Sequence, residues 1–264
     1  MKVTIIGSGV VGRLLGRALA ERGDQVTLLS PRPVDEPLLW IAGDAVTGRG
    51  LRVGLEGADA VVFAAAGRKG KSIEEIGAKG AEQVCRAVER ANIDRFLLIG
   101  PSNSGTRSRA RHLQAHAFAL DNCAKRLPSV TAVQIPTLFG EGDHLVSPWL
   151  ERARSGRPIH THHTKLEIRP LWVGDARRLL IAAVDGELSA RVSVQGPSRL
   201  TVGALATTFC ARFSVGRSLM GIARRPGPDE IACLKEQLGG RDDWDSLDLG
   251  ERLTPAKWLA QQGT

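Results

Sequence analysis

Residues 1–32 read MKVTIIGSGVVGRLLGRALAERGDQVTLLSPR, and the architecture of the chain follows from them. Lys2 to Ile6 is a short run rich in β-branched residues, and Gly7-Ser8-Gly9-Val10-Val11-Gly12 spells G-x-G-x-x-G directly behind it. Val11, Leu14, Leu15, Ala18 and Leu19 then recur at helical spacing, before a Gly23-Asp24 turn and a second strand, Gln25 to Leu29. Strand, glycine turn, helix and strand in that order make a dinucleotide-binding βαβ unit. Gly7 lets the chain turn out of the strand, Gly9 leaves room for a pyrophosphate to approach the backbone, and Gly12 lets the helix pack closely on the sheet. The phosphates would rest on the free N–H groups and positive dipole end of the helix, at Ser8, Gly9, Val10 and Val11. In a chain with 30 glycines, G-x-G-x-x-G alone would be an ordinary tight turn. Its place between a strand and a helix is what makes it a phosphate cradle.

For the chain as a whole, 264 residues suffice for a large core, and 42% hydrophobic and 24% charged content are ordinary for a globular chain. No apolar run approaches the roughly 18 residues of a membrane helix, and the first residues already read as a strand, so the expectation is a cytoplasmic protein with no membrane partner. Cys85, Cys123, Cys210 and Cys233 lie far apart without C-x-x-C spacing, which suggests neither a zinc knot nor a disulfide framework. The excess of 36 Lys+Arg over 28 Asp+Glu gives +8 and favours an anionic ligand. Clusters such as Arg107, Arg109 and Arg111 have a solvated face as their plainer explanation, and only 4% aromatic content offers few stacking platforms, so no nucleic-acid partner is expected.

Beyond the proline-punctuated segment Pro31 to Pro37 the alternation continues. Ala58 to Ala66 is a buried strand with a small-residue end, Ala78 to Ala91 a helix, and Arg95 to Gly100 the next strand, broken by Pro101-Ser102-Asn103-Ser104-Gly105. A helix from about Arg109 to Arg126 leads to a strand Val130 to Ile135, which ends at Pro136. Afterwards the alternation loosens: Val146 to Ser155 is helical, Leu171 to Ala176 opens a helix running through Val184, and Arg191 to Gln195 is a short strand. Thr201 to Thr264 reads as helices and short connections.

With those residues in view, the chain resembles the extended and atypical short-chain dehydrogenase/reductase superfamily, in particular its NAD-dependent epimerase/dehydratase-like branch. Gly43-Asp44-Ala45 resembles the family's G-D-[LVA] step, where the aspartate meets the adenine, and Ala64-Ala65-Ala66-Gly67 the small-residue loop beside the adenine ribose. Leu138 to Asp143 (LFGEGD) is similar to V-Y-G-P-G-D, Leu171 to Ala176 (LWVGDA) to F-V-H-V-D-D-x-A, and Leu200 to Ala206 to L-T-x-x-E-L-A. The resemblance implies a doubly wound parallel Rossmann sheet over residues 1–140, to which 166–198 return, and a small, partly interleaved C-terminal domain over 141–264. It also implies cofactor contacts from Gly7 to Gly12 and at Ser30, Arg32, Asp44, Ala45, Ala64, Ala65, Ala66 and Pro136. A homodimer is compatible with this reading.

Two departures matter. The turn is G-x-G-x-x-G where extended members have G-x-x-G-x-x-G, and the family's catalytic Tyr-x-x-x-Lys is missing, because the chain has no tyrosine. Counting back from Pro136, that motif falls on His112-Leu113-Gln114-Ala115-His116. Histidine titrates near neutrality, so His112 becomes the candidate acid/base, His116 the ribose contact, and Ser102 the group orienting the substrate oxygen. Two histidines at i, i+4 could also bind a metal, but no third ligand is apparent and none is assigned. His160, His162 and His163 read as a polar loop. After the second strand comes Ser30-Pro31-Arg32 with no acid until Asp35, where NAD binding would want one, so NADP(H) is expected in preference to NAD(H), with Ser30 and Arg32 on the 2′-phosphate. The function expected is an NAD(P)-dependent epimerase/reductase-like enzyme for a small anionic substrate, a sugar nucleotide or a carbonyl. The alternative is a catalytically silent NADP(H)-binding redox sensor or regulator.

Overall fold

In a computed structural model, residues 1–67, 70–218 and 228–262 are described. The first half runs β1 (Lys2–Ile6), α1 (Val10–Glu21), β2 (Gln25–Ser30), β3 (Leu39–Ala42), α2 (Leu51–Gly54), β4 (Ala60–Phe63), α3 (Ser72–Glu74), α4 (Ala81–Arg90), β5 (Arg95–Pro101), α5 (Arg111–Arg126) and β6 (Thr131–Ile135). The second half continues β7 (Leu138–Phe139), α6 (Ser147–Arg154), β8 (Ile159–His160), β9 (Glu167–Ile168), β10 (Leu171–Trp172), α7 (Val173–Asp185), β11 (Arg191–Ser193), β12 (Leu200–Thr201), α8 (Val202–Phe213), β13 (Arg217–Ser218), α9 (Pro228–Gln237) and α10 (Pro255–Gln261).

Seven strands form one parallel sheet in the order β11-β6-β5-β4-β1-β2-β3. Its strands read as continuous apolar runs because both faces are covered. Leu15 and Leu19 of α1 and Leu179, Leu180 and Val184 of α7 pack on one face, over Val3, Ile5, Leu97 and Val133. Leu51 of α2, Val84 and Val88 of α4, and Ala119, Leu120 and Cys123 of α5 pack on the other, over Phe63, Phe96 and Leu98. The chain returns to the sheet late: β11 pairs with β6, with Ser193 opposite Gln134. A third cluster joins Phe139, Trp149, Phe209 and Trp258 with α6, α8 and α10, edge-to-face ring pairs setting its geometry.

Several elements depart from the sequence reading: His160, read as part of a polar loop, lies in β8, Leu171–Trp172 form β10 ahead of α7, and two helix starts shift. The helix expected from Ala78 begins at Ser72 and passes through a π-helical stretch, Glu75–Gly80, before α4. That wider turn carries Gly77 and Gly80, whose missing side chains let it approach Ala115 of α5 and Ala45. The helix expected from about Arg109 begins at Arg111, with Ala110 in extended backbone at its N-cap position.

Candidate functional site

The order of strands reverses between β1 and β4, and the loops following those two strands meet at the C-terminal edge of the sheet, where open α/β sheets place ligands. A side chain on Gly7, which has φ +115°, would come within 2.7 Å of the Ala65 amide nitrogen, so the glycine turn lies directly on the Ala64–Gly67 loop. Gly12 is equally constrained from the other side, since a Cβ there would overlap the Gly7 carbonyl oxygen. Gly9 differs from both. It is exposed, extended at φ −71° and ψ −176°, and a Cβ built on it would meet nothing within 4 Å. The turn therefore packs through its first and last glycines and leaves an open cradle at the middle one. As no side chain caps α1, a pyrophosphate fits this cradle with main-chain N–H groups as its donors.

Around the cradle the other cofactor candidates take distinct places. Asp44 accepts the Val46 and Thr47 amides on Oδ1, which holds the Gly43–Ala45 step as a turn. Ala45 is buried beneath it, and Ala64, Ala65 and Ala66 line the loop after β4 with small, partly open surfaces. Pro136 is buried behind β6. Ser30 is only 2% exposed: its hydroxyl donates to the Arg32 carbonyl and accepts from the Trp40 indole. Ser30 thus shapes the main chain, while the Arg32 side chain is exposed. Sequence reasoning missed Glu36, which forms a two-pronged ion pair with Arg17 at 2.6 and 2.7 Å and lies 3.6 Å from Arg13. Arg13 in turn donates to the Ser8 carbonyl. The i, i+4 spacing of these two arginines was the visible signal.

The candidate catalytic residues are separated by burial. His112, in the first turn of α5, places Nε2 3.0 Å from the Gly67 carbonyl oxygen. A carbonyl can only accept, so Nε2 carries a proton, and in the neutral ring the lone pair falls on Nδ1. Nδ1 is buried with no protein partner among the described residues. Glu74 holds the neighbouring Arg111 by two bonds of 2.7 Å. His116 lies one turn on and points into the sheet, its ring filling the space left by Gly100 of β5. It is 6% exposed, and burial, with Arg191 nearby, lowers its pKa to about 4. The Leu98 carbonyl pulls weakly the other way without forming a hydrogen bond to the ring. Ser102 is fully enclosed; its amide donates to Ile135 and its hydroxyl has no protein partner among the described residues. His112 is thus joined to the loops of the cradle through Nε2, while its Nδ1, like Ser102 and His116, is enclosed.

The two aspartates of the LFGEGD and LWVGDA stretches organise chain rather than line the cradle. Asp143 accepts four amides, from Gly140, Leu145, Val146 and Ser147, and burial pushes its carboxyl up to about 6 against those donors. Asp175, with no exposure, binds Arg178 and the Leu253 amide and so ties α7 to the C-terminal segment. Among the described residues no group of three His, Cys, Asp or Glu side chains could hold a metal ion, and no helix is long and apolar enough to cross a membrane.

Residues 7–126 match a family model described as NAD(P)H-binding. The matched span runs from the glycine turn to the end of α5 and holds the cradle and all three catalytic candidates. No curated protein matches the chain by sequence. Among solved structures, the Bordetella bronchiseptica enzyme WbmH in complex with NAD+ superposes with a TM-score of 0.73 at 17% identity, covering 98% of this chain and 96% of its own. UDP-glucose 4-epimerase from Thermotoga maritima with UDP-glucose gives 0.70 at 13% identity, covering 87% and 88%. UDP-N-acetylglucosamine 4-epimerase from Bacillus cereus gives 0.67 at 16% identity, covering 92% and 98%. At these identities the likeness is one of fold, a Rossmann-like α/β sheet with helices on both faces.

Proposed function

We propose that the chain is an NADP(H)-dependent enzyme of the epimerase/reductase type, acting on a small anionic substrate such as a sugar nucleotide or a carbonyl compound. One observation carries this reading: His112, anchored through Nε2–H to the Gly67 carbonyl, stands at the loop that also backs the open glycine cradle. A bound nicotinamide would supply hydride acceptance and donation. The proton of the substrate hydroxyl is then left to this chain, with His112 Nδ1, once the loop over it is uncovered, as its acceptor and, in the reverse direction, its donor. Gly67 serves as the fixed partner that holds the tautomer. Ser102 orients the substrate oxygen once it is uncovered, and His116, packed on Gly100, is better suited to be the wall behind the site than the ribose contact its spacing suggests.

The preference for NADP(H) is supported by the ion pairing of Glu36. Bound to Arg17 and near Arg13, that carboxylate is poorly placed to accept ribose hydroxyls, whereas Arg32 is exposed. The NAD+ in the WbmH structure makes NAD(H) the necessary comparator.

The test is His112→Phe, which keeps a ring in place but removes the proton carrier. Turnover on an accepted substrate should fall at least ~100-fold, the usual scale for loss of a general acid/base, with cofactor affinity unchanged. Full turnover would remove the acid/base assignment. A second reading, a catalytically silent NADP(H)-binding sensor, is favoured by the enclosure of Ser102 and His116 and by the missing tyrosine. Tight NADPH binding with no hydride exchange across carbonyl and sugar-nucleotide substrates would select it.

A further inference from the structure

Helix α5 starts without a cap of its own: Ala110 stands at its N-cap position, and no side chain there accepts from the first turn. Helix starts in this condition leave amides unsatisfied. Here the amide at the N-cap position, Ala110, is shared between the local Ser108 hydroxyl, at 3.0 Å, and an acceptor from far along the chain. Glu236, near the end of α9, accepts the Arg109 and Ala110 amides on Oε1 at 3.1 and 3.2 Å, and the Ser108 hydroxyl on Oε2 at 2.5 Å. Its carboxylate also lies where the positive end of the α5 dipole favours negative charge. The same turn of α9 is fastened twice more. Asn103, in the left-handed region at φ +61°, donates to the Glu236 carbonyl, and Gln195 beyond β11 donates to the Gln237 carbonyl.

α9 packs on α5 on one side and on β9 on the other, so it spans the space between the sheet edge and the third cluster. Beneath it Gly240 lies against Asn103 and Gln195. We propose that Glu236 is a positioning residue: by bonding Ser108, Arg109 and Ala110 from α9 it fixes the entry to α5, and with it His112 in the first turn, in register against Gly67. The proposal rests on the acid/base reading of His112 for its catalytic consequence, but not for its structural one. A cap supplied by an element 126 residues away makes the placement of His112 conditional on α9 being docked.

The experiment uses the full chain and reads His112 directly. Carbethoxylation by diethyl pyrocarbonate, mapped by mass spectrometry, is followed at His112 with exposed His163 as internal reference, together with hydrogen exchange over residues 103–116. Glu236→Ala is expected to raise the His112 rate and the exchange of the 108–113 amides at least fivefold, with NADPH affinity within twofold. Glu236→Gln keeps the Oε1 acceptor and should bring His112 back within twofold of wild type, a rescue that general loosening would not give. Ser108→Ala removes one partner of Glu236 together with the local bonds of that hydroxyl to Ala110, at little risk to the fold, and should move His112 in the same direction, about twofold. Unchanged reactivity and exchange in a folded Glu236→Ala overturns the proposal. If that variant does not fold, no response in Ser108→Ala overturns it instead. Should His112→Phe keep turnover while Glu236→Ala still frees the first turn of α5, the acid/base reading falls and the cap stands.

Discussion

Gly9→Val separates the binding role of the glycine turn from its structural role. Gly9 sits at φ −71° and ψ −176°, extended backbone open to any residue, and its Cβ direction is empty to 4 Å. The variant loses only the preference of a helix N-cap for glycine over valine, about 1 kcal/mol. For a chain of this size that lowers the melting temperature by roughly 2–4 °C. The valine methyls would stand where a pyrophosphate must approach the amides, so NADPH affinity should fall at least ~100-fold, about 2.7 kcal/mol. Gly12→Ala is the control with the opposite signature. Its Cβ would overlap the Gly7 carbonyl oxygen and come within 3.5 Å of Ile5 Cγ2, and since the obstruction is backbone, the fold must shift at roughly 2–4 kcal/mol. Thermal melting and quenching of tryptophan fluorescence by NADPH measure both quantities on the same samples. Wild-type affinity in a folded Gly9→Val would refute cofactor binding at this turn, and a melting loss equal to that of Gly12→Ala would refute the claim that the middle glycine is structurally free.

Arg32→Ala should weaken NADPH at least ~10-fold, about 1.4 kcal/mol, and leave NADH unchanged; equal losses for both cofactors in parallel titrations would remove Arg32 from the 2′-phosphate. His116 makes stability depend on pH with a definite sign. Its folded pKa of about 4 lies below the ordinary 6.5, so the unfolded chain takes up the proton first: the contribution is complete above pH 6.5 and is lost as pH falls toward 4. The loss is on the order of 3 kcal/mol, because each tenfold difference in proton affinity between the folded and unfolded chain is worth about 1.4 kcal/mol. In His116→Leu the urea midpoint at pH 5 should therefore rise relative to that at pH 7.5, with Asp143, whose raised carboxyl acts with the opposite sign, common to both proteins; an unaltered difference would show that another group sets the slope.

The α/β class and the cradle were legible because their determinants are local. Apolar spacing in the first thirty residues encodes strand, helix and strand, and three glycines at fixed offsets set the turn, so that 7–12 could be read without knowing what they pack against. The doubly wound sheet followed from repeating that alternation, and strand order β11-β6-β5-β4-β1-β2-β3 completes it. The resemblance of LFGEGD and LWVGDA to family motifs located Asp143 and Asp175, but only the fold revealed them as carboxylates buried under backbone amides. Burial separated the catalytic candidates in the same way. His112 and His116 share a helix face in sequence, yet one is drawn to the Gly67 carbonyl and the other sinks into the gap at Gly100, because α5 packs directly on β5. The ion pairing of Glu36 by Arg17 and the capping of α5 by Glu236 join residues 19 and 126 apart. No periodicity records such pairs, since they exist only once long-range packing has offset the entropy lost in bringing those segments together.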